Sequence, residues 1–250
     1  MISYKPLPIL DDNVQNILNN ITNIWHDCDI DEFINTYHEW IISCKNFKIS
    51  GLQKFDRAIT DGVTGAFYNF EQQYPSYKTV VFKGEYPFHR DTGITVIKDL
   101  SEIKGNNKLI ISYPFSASGD IFNNFSDIIS HCNKLDIPVM LDMAYFGSVK
   151  LPKLNVNHSC IKMVAFSLSK TFATGKSRIG LCYYTKNNVI PPMSLLTSYK
   201  YVNQIAINIH MKLLNRFTSD YMYDKYSEKQ KYIVNVLNVN ASPTVFFCNT

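Results

Sequence analysis

The stretch IKMVAFSLSKTFATGKSRIG, residues 161–180, joins an apolar run to a polar loop. Residues 161–169 are almost continuously apolar, which is typical of a strand buried on both faces of a sheet. The loop that follows holds Lys170 beside hydroxyl residues, with Arg178 further along. The stretch therefore predicts a buried strand that brings a lysine to the edge of a sheet. That lysine is either an ordinary surface residue or a reactive amine.

Similar apolar runs recur along the chain. Strands are predicted over 77–83, 107–114, 137–145, 161–169 and 178–186, and helices over 12–25, 31–45, 120–135, 200–217 and 221–237. Nearly continuous apolar strands separated by helices indicate a sheet that is covered on both faces. The predicted class is α/β, with a mostly parallel central sheet and helices on both faces.

Composition and charge exclude several classes of protein. The net charge of +4 comes without a dense basic run, so no nucleic-acid partner is expected. The longest apolar runs are strand-sized, so no membrane span is expected, and MISYKPLPILDD lacks the pattern of a signal peptide. The six cysteines lack paired spacing and are expected to be free thiols in the cytoplasm, a reducing compartment. The six histidines lack ligand spacing, so no metal site is expected.

Polar residues stand at the carboxyl ends of two of the predicted strands. Asp142 and Tyr145 stand at the end of one, and Ser167, Ser169 and Lys170 stand at the end of another. In α/β sheets ligands bind at the carboxyl ends of the strands, so these side chains are expected at the same edge. Each alone has an ordinary explanation, since a strand-end aspartate is often a cap and a tyrosine there often packs.

A glycine turn and an arginine complete the pattern. Gly62, Val63 and Thr64 form a turn at a predicted helix start, and Arg178 lies just beyond Lys170. An arginine, hydroxyls and a helix N-terminus together suit a phosphate group. A strand-end lysine can form a Schiff base with a carbonyl, and a buried carboxylate can keep a heterocyclic nitrogen protonated. Pyridoxal 5′-phosphate (PLP) is a cofactor that needs all of these groups.

In their order along the chain, these motifs resemble those of fold-type I PLP enzymes of the class I/II aminotransferase kind. FSLSKTFATGKSRIG (166–180) resembles their lysine motif, LDMAYFG (141–147) their Asp-x-Ala-Tyr strand and ITDGVTGAF (59–67) their glycine turn. YPFSASGD (113–120) and KGEYPFHRD (83–91) are looser matches to the asparagine segment and to the segment with the ring-stacking aromatic residue. The resemblance covers residues 50–186.

The resemblance implies a role for each matching residue. Lys170 would form the Schiff base with PLP and later move the proton at the substrate Cα. Asp142 would pair with the ring nitrogen, and Tyr145 would hydrogen-bond the ring's phenolic oxygen. The residues implied at the phosphate are Ser167, Ser169, Arg178, Gly62, Val63 and Thr64. Tyr86 would stack on the ring, and His89 either supports Asp142 or is a packing or solvent histidine.

Two positions depart from the family pattern. Ser116 stands where the family has an asparagine that shares the phenolic oxygen, and serine is shorter. Family members also carry a late arginine that binds the substrate's α-carboxylate, but no arginine follows Arg216. Arg90, beside the stacking segment, is the candidate to replace it, with a surface ion pair as the alternative.

The resemblance also implies a domain division and a function. It implies an N-terminal helical segment (1–48), a PLP-binding large domain (49–199) and a reduced small domain (200–250). The predicted function is an aminotransferase that acts on an amino acid or related amine and an oxo acid, as a homodimer. Two alternatives stay open, namely other fold-type I chemistry (a decarboxylase or lyase) and a degenerate PLP fold that serves as a binding or regulatory protein.

Overall fold

The computed structural model describes residues 7–22 and 24–249. Residues 1–6, 23 and 250, which belong to the predicted segments 1–48, 12–25 and 200–250, lie outside the described residues. The helices are α1 Asp12–Asn19, α2 Ile30–Ile42, α3 Gly62–Gln73, α4 Pro87–Asp91, α5 Phe125–Lys134, α6 Pro192–Ser198, α7 Gln204–Arg216 and α8 Tyr221–Leu237. The strands are β1 Ile49–Ser50, β2 Asp56–Thr60, β3 Lys78–Phe82, β4 Thr95–Ile97, β5 Asn107–Ser112, β6 Val139–Met143, β7 Leu154–Asn155, β8 Ile161–Ser167, β9 Gly180–Tyr184, β10 Asn240–Ala241 and β11 Cys248–Asn249.

A central sheet of seven strands has the order β2-β9-β8-β6-β5-β3-β4. The pairs β3–β4, β3–β5, β5–β6 and β6–β8 are parallel, whereas β9 runs antiparallel to both neighbours, β2 and β8. The predicted mostly parallel sheet is therefore confirmed. The strands β5, β6 and β9 are buried at every residue, which explains the apolar runs at their centres.

The sheet is covered on both faces, as predicted. Alternate residues of a strand point to opposite faces, so Leu109 and Ile111 of β5 belong to one apolar cluster and Ile110 to another. The first cluster contains side chains of α1, α2, α5 and α7, and the second contains side chains of α3 and α6. Burial of these two helix layers is the main favourable term that holds the fold together.

The helices near the two ends of the chain pack against each other. Helices α1 and α2 contact α7, and the Trp40 indole donates a hydrogen bond to the backbone oxygen of Phe217 at 2.8 Å. Buried Asp11 accepts hydrogen bonds from Lys225 and Tyr226 of α8. The division into 1–48, 49–199 and 200–250 stays a prediction, but residues from the first and last of these segments share one layer.

The largest differences between predicted and observed helix ends are in α1 and α5. Helix α1 ends at Asn19 rather than at 25, because the side chain of Asn20 donates to the oxygen of Asn16 and closes the last turn. Trp25, within the predicted helix range 12–25, lies beyond the end of α1 and is 82% exposed. Helix α5 begins at Phe125 rather than at 120, because Asn124 has a φ of 59°, which a right-handed helix cannot include. Within the described residues, the structure contains no helix with the length and apolar character that a membrane span requires.

Candidate active site

Strands β6 and β8 bring Asp142 and Lys170 to the same edge of the sheet. The two strands are parallel neighbours, with Asp142 opposite Ala165 and Met143 opposite Phe166. Lys170 follows β8 by a short turn and is half-buried, and its positive charge acts on Asp142. The edge predicted from the sequence therefore exists, and it holds a lysine beside a buried acid.

Asp142 is a carboxyl that needs a cationic or hydrogen-bonding partner. It is 6% exposed, and burial raises its pKa to about 7. The Ala144 N–H donates to its Oδ1 at 2.8 Å, and this bond and the Lys170 charge oppose the shift. Because a protonated ring nitrogen supplies both a positive charge and an N–H donor, the chemistry of Asp142 suits a pyridinium partner.

Tyr145 is a buried phenol at the same edge of the sheet. Burial is the largest cause that raises its pKa, and a hydrogen bond with the Ser116 side chain opposes that rise. The ring of Phe247 packs edge-on to it at a centroid distance of 5.2 Å. The structure thus brings Ser116 and Tyr145 together, as the resemblance of their two sequence segments to the family motifs implies.

A cradle for an anion lies at the start of α3. Gly62 has a φ of +68°, and a Cβ there would stand 3.1 Å from Arg178 Nη2 and 3.3 Å from Ser167 Oγ. Arg178 Nη2 donates to Thr64 Oγ1 at 2.9 Å, and Ser167 Oγ lies 3.1 Å from Ser169 Oγ. A guanidinium, three hydroxyls and a helix N-terminus around a residue without a side chain suit a phosphate group. Val63 buries its side chain in the adjoining cluster, so its backbone N–H is what it offers.

Tyr86 lies just before the short helix α4, and His89 lies on it. Tyr86 is half-buried and stacks on Phe88 at a centroid distance of 5.9 Å. His89 is fully buried against the ring of Phe67, at 4.4 Å between centroids, and burial lowers its pKa to about 4. Neither of its ring nitrogens has a hydrogen-bond partner, so a bond from His89 to Asp142 is not formed.

A comparison with protein families gives a direct match. The family described as aminotransferase class I and II matches residues 71–246, which include the lysine, the aspartate and the arginine of this site. The chain belongs to the aminotransferase class I and II family. The match begins after Gly62, Val63 and Thr64, so the glycine turn is placed in the site by the structure alone. No curated protein sequence matches the chain.

Solved structures agree with this class I and II family on the fold. L-threonine-O-3-phosphate decarboxylase from Porphyromonas gingivalis has a TM-score of 0.67 at 16% identity, covering 97% of this chain and 79% of that one. Aspartate aminotransferase from Rhizobium meliloti has a TM-score of 0.67 at 12% identity, covering 97% and 71%. Alanine aminotransferase from Pyrococcus furiosus has a TM-score of 0.64 at 17% identity, covering 97% and 72%. At these identities the likeness establishes the fold, and the chain is shorter than each of these proteins.

Arg90 is a predicted site residue that does not contribute to the cradle. The Arg90 side chain is 69% exposed, and its guanidinium forms an ion pair with neighbouring Asp91 at 2.8 Å. This is the surface ion pair that the sequence left open, and the placement does not support binding of a substrate carboxylate.

Sequence reasoning missed one acid at this edge. Glu85 precedes Tyr86, is 7% exposed, and accepts hydrogen bonds from Ser112 at the end of β5. A lone glutamate in a turn carries no motif or periodicity that separates it from a surface residue. The signal available was its position between Gly84 and Tyr86, in KGEYP.

Proposed function

We propose that this chain is a PLP-dependent aminotransferase that acts on an amino acid or related amine. The observation that carries the proposal is the meeting of Lys170, Asp142 and Tyr145 with the phosphate cradle of Gly62 and Arg178 at one edge of the sheet. Family membership supports the same function, because it implies PLP as cofactor and an oxo acid as second substrate.

Each residue has a task that follows from its surroundings. When bound, PLP supplies an aldehyde carbon and a ring that withdraws electrons from the bonds of an attached amine. Lys170 would supply the amine that condenses with the aldehyde carbon, with loss of water. Once the substrate's own amine has replaced it at that carbon, the released Nζ would take the proton from the substrate Cα. Asp142 would accept the hydrogen bond of the protonated ring nitrogen, and Tyr145 with Ser116 would bind the phenolic oxygen. Arg178 with the hydroxyls around Gly62 would hold the phosphate.

The experiment that tests this proposal is covalent trapping. PLP-loaded protein is reduced with borohydride and digested, and the peptide that carries the cofactor mass is identified. We expect the label on Lys170, and Lys170→Ala should lose both the label and the visible absorbance. Lys176→Ala is the matched control, because Lys176 lies exposed in the same loop. A label on another lysine, or none in the wild-type protein, would contradict the proposal.

A panel of amino acids then separates the reaction types. An aminotransferase releases an oxo acid and returns an amine to a second oxo acid, whereas a decarboxylase releases carbon dioxide. Bound cofactor without exchange of the Cα proton on any amino acid would favour a binding or regulatory protein. The Ser116–Tyr145 pair and the exposed Arg90 are the features of this chain that make the panel necessary.

We also propose that the chain acts as a homodimer in the cytoplasm. Exposed apolar side chains gather on α6 and the loops beside it, namely Ile190, Leu195, Leu196, Tyr199 and Tyr201. Leu196 and Tyr201 border a cavity of about 370 Å³ that also reaches Asp61 and Gly65 beside the phosphate cradle. A patch of this kind marks an interaction surface, and a second copy is the occupant that would also enclose the cradle.

The cysteines are free thiols, which supports a reducing compartment.

A further inference from the structure

Glu85 is a buried acid within KGEYPFHRD to which neither the resemblance nor the proposed function gives a role. It follows Gly84, whose φ is +103°, and it stands directly before Tyr86 in the turn between β3 and α4. Its side chain is 7% exposed. A carboxyl is rarely buried in a protein without partners, because the loss of its water is unfavourable unless hydrogen bonds replace it. Its partners therefore indicate what it does.

The partners of Glu85 lie on two segments of the site. The Ser112 backbone N–H donates to Glu85 Oε1 at 2.7 Å, and the Ser112 hydroxyl donates to Oε2 at 2.5 Å. The backbone N–H of Tyr86 also hydrogen-bonds the carboxyl. Ser112 is the last residue of β5 and is 3% exposed. One side chain thus joins the segment that carries Tyr86 to the end of a central strand.

That strand end is also the neighbour of Asp142. Ser112 pairs with Asp142 in the register of β5 and β6, and the next N–H, that of Tyr113, donates to the Asp142 backbone oxygen at 2.8 Å. Glu85 is close enough to Asp142 for the two carboxyls to repel each other when both are ionised, and an ionised Glu85 also acts on Tyr145. A change in the position of Glu85 would therefore change the electrostatic surroundings of the Asp142 carboxyl and of the Tyr145 phenol.

We propose that Glu85 is a positioning residue of the cofactor site, which ties the Tyr86 segment to Ser112 and so sets Tyr86 and Asp142 relative to each other. This inference rests on the proposed function, since it assigns Tyr86 to the ring face and Asp142 to the ring nitrogen of PLP. The tie is made by hydrogen bonds to the backbone and hydroxyl of Ser112. A glutamine, which can accept from the N–H and donate to the hydroxyl, should keep it.

The test compares Glu85→Gln with Glu85→Ala. We measure the affinity of the apo-protein for PLP and the induced circular dichroism of the bound cofactor, which reports how the ring is held. Glu85→Ala should weaken PLP affinity about tenfold or more and reduce the induced signal. Glu85→Gln should restore affinity to within about threefold of wild type. Equal behaviour of the two variants, whether both normal or both impaired, would overturn the inference.

Asp220 provides the matched control for a purely structural role. It is equally buried at 7% exposed and also ties backbone together, accepting from the N–H groups of Lys45 and Asn46. Asp220→Ala should lower the midpoint of unfolding without changing the induced signal. If Glu85→Ala does not fold, Ser112→Ala, which removes one hydroxyl bond and keeps the amide, should weaken PLP about threefold. Unchanged affinity in Ser112→Ala would then overturn the inference.

Hydrogen exchange in the apo-protein separates this inference from the proposed function. Glu85→Ala should speed exchange at Ser112 and in residues 83–90, whereas Asp220→Ala should not. If wild-type protein binds no PLP, the proposed function fails, and this measurement alone decides whether the tie exists. Unchanged exchange at Ser112 in Glu85→Ala would overturn it.

Discussion

Among single residues, Arg178 gives the most direct test of the cradle. Its guanidinium contacts the Thr64 hydroxyl and the position that a Gly62 side chain would take, so a phosphate there meets a planar fork of donors. Arg178→Lys keeps the charge but loses the fork, and we expect PLP affinity to fall at least about tenfold. Arg90→Gln, at the exposed ion pair with Asp91, is the control and should bind PLP as wild type does. Titration of the apo-protein measures both, and an unaffected Arg178→Lys would argue against the cradle.

Glu85 gives a second residue-scale prediction, on the pH dependence of stability. Burial raises its pKa from 4.5 to about 8, so between these values the folded state holds a proton that the unfolded chain releases. Its contribution to stability is therefore present below the lower value and is lost as the pH rises through the upper one. Relative to Glu85→Gln, apo wild-type protein should lose stability over that range, as measured by urea unfolding at a series of pH values. A difference between the two proteins that does not change with pH would contradict the assignment.

The start of α3 gives the element-scale prediction. Gly62 begins this helix with a φ of +68°, and an added Cβ would press on Arg178 and Ser167. Gly62→Ala should destabilise the protein by about 1–3 kcal/mol and weaken PLP binding. Gly65→Ala in the next turn is the control, since a Cβ there meets side-chain atoms at an ordinary 3.5 Å. It should be neutral or stabilise the helix by up to about 1 kcal/mol. Thermal unfolding and PLP titration give both quantities, and equal effects of the two substitutions would refute the strain argument.

The elements also explain how far the sequence predicts this fold. Strands β5, β6 and β8 could be predicted because each contains an apolar run. The burial of such a run can be inferred from its own sequence, without knowing which strand lies beside it. Strand β2 begins with Asp56 and Arg57 and has strand form because it pairs with β9, far along the chain. Helix α5 begins late because of the backbone of one asparagine, Asn124, which periodicity does not report.

The same reasoning applies to the candidate site. Asp142, Tyr145, Lys170 and Arg178 could be placed at one edge because each lies at or close to the end of an apolar strand. Glu85 could not, because its burial depends on Ser112, which comes from a different strand. A site residue could therefore be predicted where its own strand determines its position. It could not be predicted where a contact with another element determines it.

At the scale of the whole molecule, the exposed apolar patch on α6 predicts the oligomeric state. We expect wild-type protein to have twice the mass of the 28.8 kDa chain in light scattering. Leu196→Glu places a charge in the patch, and two-fold symmetry repeats it, so the dimer should weaken about 100-fold or more. Val236→Glu is the control, because Val236 is 65% exposed on α8, away from the patch, and should leave the dimer intact. If the cradle is completed between subunits, Leu196→Glu should also bind PLP more weakly at low protein concentration and regain affinity as concentration rises. A wild-type monomer, or a dimer that only Val236→Glu breaks, would rule out α6 as the interface.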